Sequence, residues 1–202
     1  HQWLTIGDGN RASEARWLLH QGVDVHATDL ATDLLELVHE QGLIPSWGRE
    51  NAEQLSFPNE SFDYVLIKEA FHHFPRPWLA LYEAYRVCRK GVVLLEPNGE
   101  HPRLLSRLLR LLRRHPTSVY YRFEKVGNFV YAPNPIELEK FLLGMSGQQI
   151  ALRFYNDFWH SQEAVAAPIE RGTRRQRALR NAVQRTIQKR EWLSRSGLTP
   201  YG

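Results

Sequence analysis

Three groups of residues in this sequence have the types and spacings that do chemistry. Gly7-Asp8-Gly9-Asn10 follows a short apolar run and precedes a helical pattern. Glycines at such a junction let the backbone approach a ligand closely, and the helix start presents unpaired N–H groups. Asp29 stands 20 residues after Gly9, at the end of a second apolar run, where a carboxylate can bind both hydroxyls of a ribose. Lys68-Glu69-Ala70-Phe71-His72-His73 puts a cation, a carboxylate and two imidazoles into six residues, and Glu96 closes a later apolar run. His72 or His73 can take a proton from a hydroxyl, with Glu96 a second candidate base. The plain alternatives are a tight turn for the glycines, core packing for a histidine and polar capping for Glu96.

The elements that must position these groups alternate between strand and helix. Residues 2–6 read as a strand, and Ser13 as the cap of a helix to about residue 20, with Ala15, Leu18 and Leu19 on one face. Gly22 stops that helix, residues 23–28 form a second strand ending at Asp29, and residues 33–41 form a helix closed by Gly42. A short third strand is expected near residues 46–48 and a fourth over 62–67. Then comes a helix over 78–88, ended by Gly91, before the β-branched run Val92-Val93-Leu94-Leu95. Unbroken apolar strands separated by helices predict an α/β fold: a doubly wound, mostly parallel sheet covered on both faces.

The later half is less regular. Residues 101–115 are rich in leucine and arginine with helical period, and Asn134-Pro135-Ile136-Glu137 is a helix start with Asn as cap, Pro first and Glu third. That helix is expected to end at Gly144, with a strand over 150–158 and a long basic helix over 168–193. The net charge of +4 conceals its distribution: residues 1–100 carry −7, residues 101–115 carry +5, and residues 161–202 carry +6. The basic character thus belongs to two late segments. No recognised nucleic-acid-reading motif accompanies it, so nucleic acid is not the expected partner. One cysteine, Cys88, excludes an internal disulfide framework or a cysteine-built zinc site and suits a reducing cytoplasm. Both ends look clipped, since the chain starts almost inside its first strand.

The glycine turn and Asp29 alone leave two readings open. Gly7-Asp8-Gly9-Asn10-Arg11-Ala12 fits the nicotinamide dinucleotide pattern with Ala12 in its last place, and it fits S-adenosylmethionine (SAM) enzymes equally well. The stretch from Glu50 to Val65, reading E-N-A-E-Q-L-S-F-P-N-E-S-F-D-Y-V, separates them. It resembles the loop and fourth strand of class I SAM-dependent methyltransferases, whose common form is D/N-A-E-x-L-P-F-x-D-x-S-F-D-x-V. With the flanking motifs the resemblance covers residues 2–97, and it looks closest to small bacterial methyltransferases of glycan and other small-molecule biosynthesis.

The resemblance implies a Rossmann-like core over 1–97, a helical substrate cap over about 100–147, and a C-terminal strand and basic helix over 148–202. It implies that Gly7, Asp8 and Gly9 line the methionine part of SAM. Asp29 would hold the ribose hydroxyls, Leu30 would flank the adenine, and Asn51 with the Ala52 backbone would meet its amino edge. Lys68 would face the methionine or the transfer cleft. The turn departs from the pattern by having Arg11-Ala12-Ser13 in place of a third glycine. After the fourth strand, Lys68-Glu69-Ala70-Phe71 stands where base amino-methyltransferases place Asp/Asn-Pro-Pro-aromatic. Adjacent His72 and His73 are poorly spaced as metal ligands, so no metal is expected.

The function implied is methyl transfer to a small-molecule acceptor, a hydroxyl oxygen of a sugar or other metabolite. The competing readings are a SAM-binding protein that acts through partners without catalysis and a nicotinamide-dependent oxidoreductase. Leu104, Leu105, Leu108, Leu111 and Leu112 form a stripe flanked by arginines, suiting either packing on the sheet or a peripheral membrane contact. The narrow apolar stripe of the last helix suits a surface helix or a homodimer seam.

Overall fold

The apolar runs form five strands. They are β1 (Gln2–Ile6), β2 (Asp24–Asp29), β3 (Trp47–Arg49), β4 (Phe62–Lys68) and β5 (Cys88–Leu95), joined in one sheet of order β3-β2-β1-β4-β5 with every pair parallel. This computed structural model describes residues 1–97, 129–145, 149–152 and 173–195. The chain divides into two compact units, residues 1–97 with 119–133, and residues 98–118 with 134–202.

In the first unit, α1 (Ser13–His20) packs on β2, α2 (Asp33–Glu40) packs on β2 and β3, and α3 (Pro77–Val87) packs on β4 and β5. One face of the sheet buries Val25, Ala27 and Leu66 against Ala15 and Leu18 of α1 and Leu35 and Val38 of α2. Each helix presents its small and aliphatic residues at three- and four-residue spacing, so its apolar stripe meets the sheet and its charged face meets water. Helix α3 buries Ala80, Leu81, Ala84 and Val87 in the same way. The buried central strands β1, β2 and β4 account for their continuous apolar runs, while β5 leaves Val93 and Leu95 exposed.

Two local expectations are corrected. Ser13 does not cap α1: its hydroxyl bonds to Glu14 Oε2 at 2.7 Å, and the cap residue is Ala12 in a left-handed conformation. The free amides of Glu14 and Ala15 are taken instead by the Asp8 carboxyl, at 3.2 and 2.8 Å. Gly91 does not end α3. The helix stops at Val87 and Cys88 opens β5 directly, so Cys88 lies at a helix–strand junction and Gly91 inside a strand. The pairing of β5 with β4 shifts register between Phe62 and Tyr64, and Gly91 sits there against the Tyr64 ring. A glycine inside a strand marks such an irregularity as readily as it stops a helix.

In the second unit, α4 (Pro135–Gly144) starts as its sequence requires. Asn134 Oδ1 accepts from the Glu137 amide at 3.0 Å, and Glu137 Oε2 accepts from the Asn134 amide at 3.1 Å. This reciprocal pair satisfies two amides that the helix itself cannot. Helix α5 (Arg174–Arg195) exposes Arg174, Arg175, Arg177, Arg185 and Lys189, with Leu179, Val183 and Ile187 half-buried. Residues 150–152 carry no strand, and the rest of that expected strand lies outside the described residues. So do the leucine–arginine helix at 101–115 and the start of the basic helix. Among the described residues no helix is long and apolar enough to cross a membrane.

Candidate cofactor and active site

The strand order reverses between β1 and β4, and in open α/β sheets ligands bind beyond the carboxyl ends of the strands at such a point. The turn after β1 is held there by the backbone of β2: the amides of Gly7 and Asp8 both donate to the Thr28 carbonyl, at 3.0 and 3.1 Å. Gly7 has φ 77°, and a Cβ on it would lie 2.4 Å from the Ala70 Cβ. Gly9 faces Asp29 so closely that a Cβ would lie 2.6 Å from Asp29 Oδ2. That oxygen accepts from the Gly9 amide at 2.8 Å, and Oδ1 accepts from Ala31 at 2.8 Å. Asp29 is therefore fixed beside the glycine turn and remains partly exposed.

Arg11 and Ala12 stand where the third glycine is missing, and both adopt the left-handed conformation, with φ 59° and 52°. The loop has kept a glycine-type backbone without the glycine, at a conformational cost.

Asp8 is placed beneath the turn, 2% exposed. Besides capping α1, it accepts a hydrogen bond from the Thr5 hydroxyl at 3.0 Å. Burial raises its carboxyl to about 8, and a hydrogen bond with Glu14 adds to the rise. Partial burial works against ionised Glu14, but hydrogen bonds with Asp8, Lys68 and Ser13 outweigh it and hold Glu14 at about 2. Asp8 is thus the proton-bearing member of the pair. Lys68 Nζ lies 2.9 Å from Glu14 Oε1, which raises the ammonium above its ordinary value. A buried acid, a carboxylate and a lysine link the helix start to the end of β4.

Across the crevice from β1, the chain turns after β4 through Glu69 at φ 52°, then a single 3₁₀ turn, Phe71–His73. Glu96, just past β5, binds that turn. Its Oε1 accepts from the amides of Ala70 and Phe71, both at 2.8 Å, and its Oε2 meets His72 Nδ1. His72 is 7% exposed, and the exposed His73 ring stands 4.0 Å from it, centroid to centroid. The structure therefore joins two of the residues marked separately in the sequence, His72 and Glu96. Above them the Tyr131 amide donates to the His72 carbonyl at 3.1 Å, and Trp78 Nε1 donates to Tyr131 Oη at 3.1 Å.

The loop after β3 carries Asn51 and Ala52. Asn51 Oδ1 accepts from the Glu53 amide at 3.0 Å, Ala52 is buried, and Leu30 on the neighbouring loop is 62% exposed. Sequence reasoning missed what holds this loop. Buried Glu53 accepts from the Arg76 amide at 2.6 Å and from its Nε at 2.7 Å. Arg86 of α3 donates to the carbonyls of Leu55 and Phe57, at 3.0 and 2.8 Å, while Glu83 accepts from the Leu55 amide at 2.9 Å. Arg86 and Glu83 at i, i+3 on a helix were the available signal, but their target loop was not visible from spacing. Among the described residues no cluster of three or more His, Cys, Asp or Glu is placed to hold a metal ion.

This parallel sheet, with a glycine turn locked to a carboxylate at its switch point, defines a nucleotide-type cofactor fold of the doubly wound kind. A family model described as a methyltransferase domain matches residues 4–95. That similarity favours the SAM reading of the glycine turn over the nicotinamide one. Similar curated proteins include the ubiquinone/menaquinone biosynthesis C-methyltransferase UbiE of Bradyrhizobium sp., 38% identical over 96 residues (44% of this chain and 38% of that protein). The protein of the same name from Rhodopseudomonas palustris strain TIE-1 is 32% identical over 96 residues, with the same shares covered. The match spans less than two-fifths of those relatives. Among solved structures, a SAM-dependent methyltransferase from Methanosarcina mazei superposes with TM-score 0.53 at 20% identity, covering 78% of this chain and 81% of that one. Phosphoethanolamine N-methyltransferase 2 of Haemonchus contortus, in complex with S-adenosyl-L-methionine, gives TM-score 0.51 at 22% identity, covering 72% and 33%. These two likenesses establish the fold.

Proposed function

We propose that the chain transfers a methyl group from S-adenosyl-L-methionine to a small-molecule acceptor. The observation that carries this reading is the Gly9–Asp29 lock: two glycines with no room for a Cβ, and a fixed carboxylate, at the switch point of a sheet whose residues 4–95 match a methyltransferase-domain model. That cradle suits an adenosine whose ribose hydroxyls bind Asp29 while the Gly7–Gly9 backbone runs beside the methionine part. Asp8 contributes its backbone there, since its side chain is buried under α1. Leu30 would cover the adenine, Asn51 and the Ala52 backbone would meet its edge, and Lys68 would face the methionine carboxylate. The cofactor, when bound, supplies a sulfonium-activated methyl group open to direct displacement.

The chain's own work is then to hold the acceptor in line and to take its proton if a hydroxyl reacts. His72, held by Glu96 on the acceptor side of the crevice, and exposed His73 beside it are the proposed bases. An oxygen acceptor follows from that pair. The curated relatives are named C-methyltransferases, and this favours carbon as the second reading; their match covers the cofactor half of the chain. The residues of the proposed cap, about 100–147, are where acceptor choice would lie.

Calorimetry with SAM, S-adenosylhomocysteine and NAD tests the cofactor. Binding of the first two and not the third, lost in Asp29→Ala, is expected, and no binding of SAM overturns the reading. Mass spectrometry of methylated products then distinguishes oxygen from carbon acceptors, and an absence of turnover with any acceptor class points to a binding protein.

A further inference from the structure

Glu96 does more than close β5. Its side chain is 3% exposed and meets three groups on the single turn after the neighbouring strand β4: the amides of Ala70 and Phe71 on one oxygen, His72 Nδ1 on the other. A carboxylate only accepts hydrogen bonds, so the ring nitrogen facing it carries a proton. The first of the two amides belongs to Ala70, whose Cβ fills the space beside Gly7 that a Cβ there would need. One carboxylate therefore fixes both a ring on the acceptor side and the alanine that roofs the cofactor turn.

We propose that Glu96 is a positioning residue that couples the two sides of the crevice, setting the protonated nitrogen of His72 and holding Ala70 against the Gly7 turn. This inference rests on the methyltransferase reading for its meaning in catalysis, since only then does the His72 ring serve an acceptor. Its physical content does not depend on that reading. The competing explanation is that burial alone holds the turn, because Phe71 is fully buried and its ring meets Trp78 and Tyr131 at 5.6 and 6.4 Å. Under that explanation the carboxylate is a passive cap, and its chemistry is of no consequence to the ring or to the turn.

The two substitutions Glu96→Gln and Glu96→Leu separate these accounts. Glutamine keeps a carbonyl for the two amides but offers an NH₂ to the ring, so Nδ1 must become the acceptor. Ring nitrogens are read by ¹⁵N spectroscopy, with the His72 signals assigned by their loss in His72→Asn. The expected result is Nδ1 protonated in the parent chain and bare in E96Q, with S-adenosylhomocysteine affinity within about threefold of the parent. In E96L the Ala70 and Phe71 amides should exchange with solvent at least about tenfold faster, and S-adenosylhomocysteine should bind at least about tenfold more weakly. A protonated Nδ1 in E96Q, or unchanged amide exchange in E96L, overturns the proposal. Should E96L fail to fold, the E96Q spectrum still decides. Failure of the parent chain to bind S-adenosylhomocysteine would instead remove the methyltransferase reading, while the spectra and exchange rates would still judge Glu96.

Discussion

The amide of Gly9 donates to Asp29 Oδ2 at 2.8 Å, and no Cβ fits between them. The turn after β1 and the end of β2 are thereby one hydrogen-bonded unit. Gly9→Ala places a methyl 2.6 Å from the carboxylate, whose other oxygen is already held by Ala31, so Asp29 must swing away. The expected outcome is a loss of about 1–3 kcal/mol in stability from overpacking. S-adenosylhomocysteine affinity should fall at least about tenfold. Urea unfolding and calorimetry measure the two, and unchanged affinity would show that Asp29 has no part in the cradle.

Arg11 lies on the surface of the same turn in the left-handed region. Glycine occupies that region without the clash between Cβ and carbonyl that an arginine meets, though it loses more chain entropy on folding. Arg11→Gly should therefore stabilise the chain by about 0.5–1 kcal/mol, read as a higher urea midpoint at unchanged slope. A lower midpoint would mean that the arginine side chain holds the turn.

The legible parts of this molecule were those governed by local rules. Continuous apolar runs gave away a parallel sheet, and the 20-residue interval from Gly9 to Asp29 placed both at one edge because one helix and one strand fit between them. The Asn134–Glu137 start was legible for the same reason, since both partners of its hydrogen bonds lie within one turn. Ser13 misled because a buried acid five residues earlier took the amides that a serine cap would have used. Gly91 misled because the same residue type serves a helix stop and a strand irregularity, and only the pairing with Tyr64 distinguishes them. The joining of His72 to Glu96, 24 residues apart, and of Arg86 to the loop at Leu55–Phe57 depends on where β4, β5 and α3 come to lie. No periodicity encodes that.

The Asp8–Glu14 pair predicts a pH dependence of stability with a definite sign. Asp8 is raised to about 8 when folded, from 3.8, so its contribution is full below about pH 4 and is lost as pH rises toward 8. Glu14, lowered to about 2 from 4.5, contributes above about pH 4.5 and loses its contribution as pH falls toward 2. Lys68 acts on this site directly through its ion pair with Glu14, and Glu69 acts on Lys68. Asp8→Asn removes the titrating proton and keeps one oxygen for an α1 amide, so its profile lacks the Asp8 step. The urea midpoint of the parent chain should decline between pH 5 and 8 more steeply than that of the variant. Parallel profiles would show that Asp8 is ionised in the folded chain.

Arg86 predicts how the loop after β3 is held. Its guanidinium donates to the Leu55 and Phe57 carbonyls and to Asn59 Oδ1, and pairs with Glu83. Glu83 in turn accepts from the Leu55 amide, and its carboxyl is held below the ordinary range chiefly by that arginine. Removing the guanidinium takes a donor from the Leu55 and Phe57 carbonyls and from Asn59 Oδ1, and leaves Glu83 only the Leu55 amide among these contacts. Arg86→Ala should thus cost about 1–3 kcal/mol. Arg86→Lys should recover little, because one ammonium on a flexible stem cannot reproduce a planar fork aimed at several acceptors. The loop carries Asn51 and Ala52, so adenosine-containing ligands should lose affinity in step with the loosened backbone. Hydrogen exchange at Leu55 and Ser56, together with S-adenosylhomocysteine calorimetry, would reveal this. Faster exchange with unchanged affinity would separate the loop's fastening from its contact with the adenine and would place the adenine elsewhere on the β2–β3 edge.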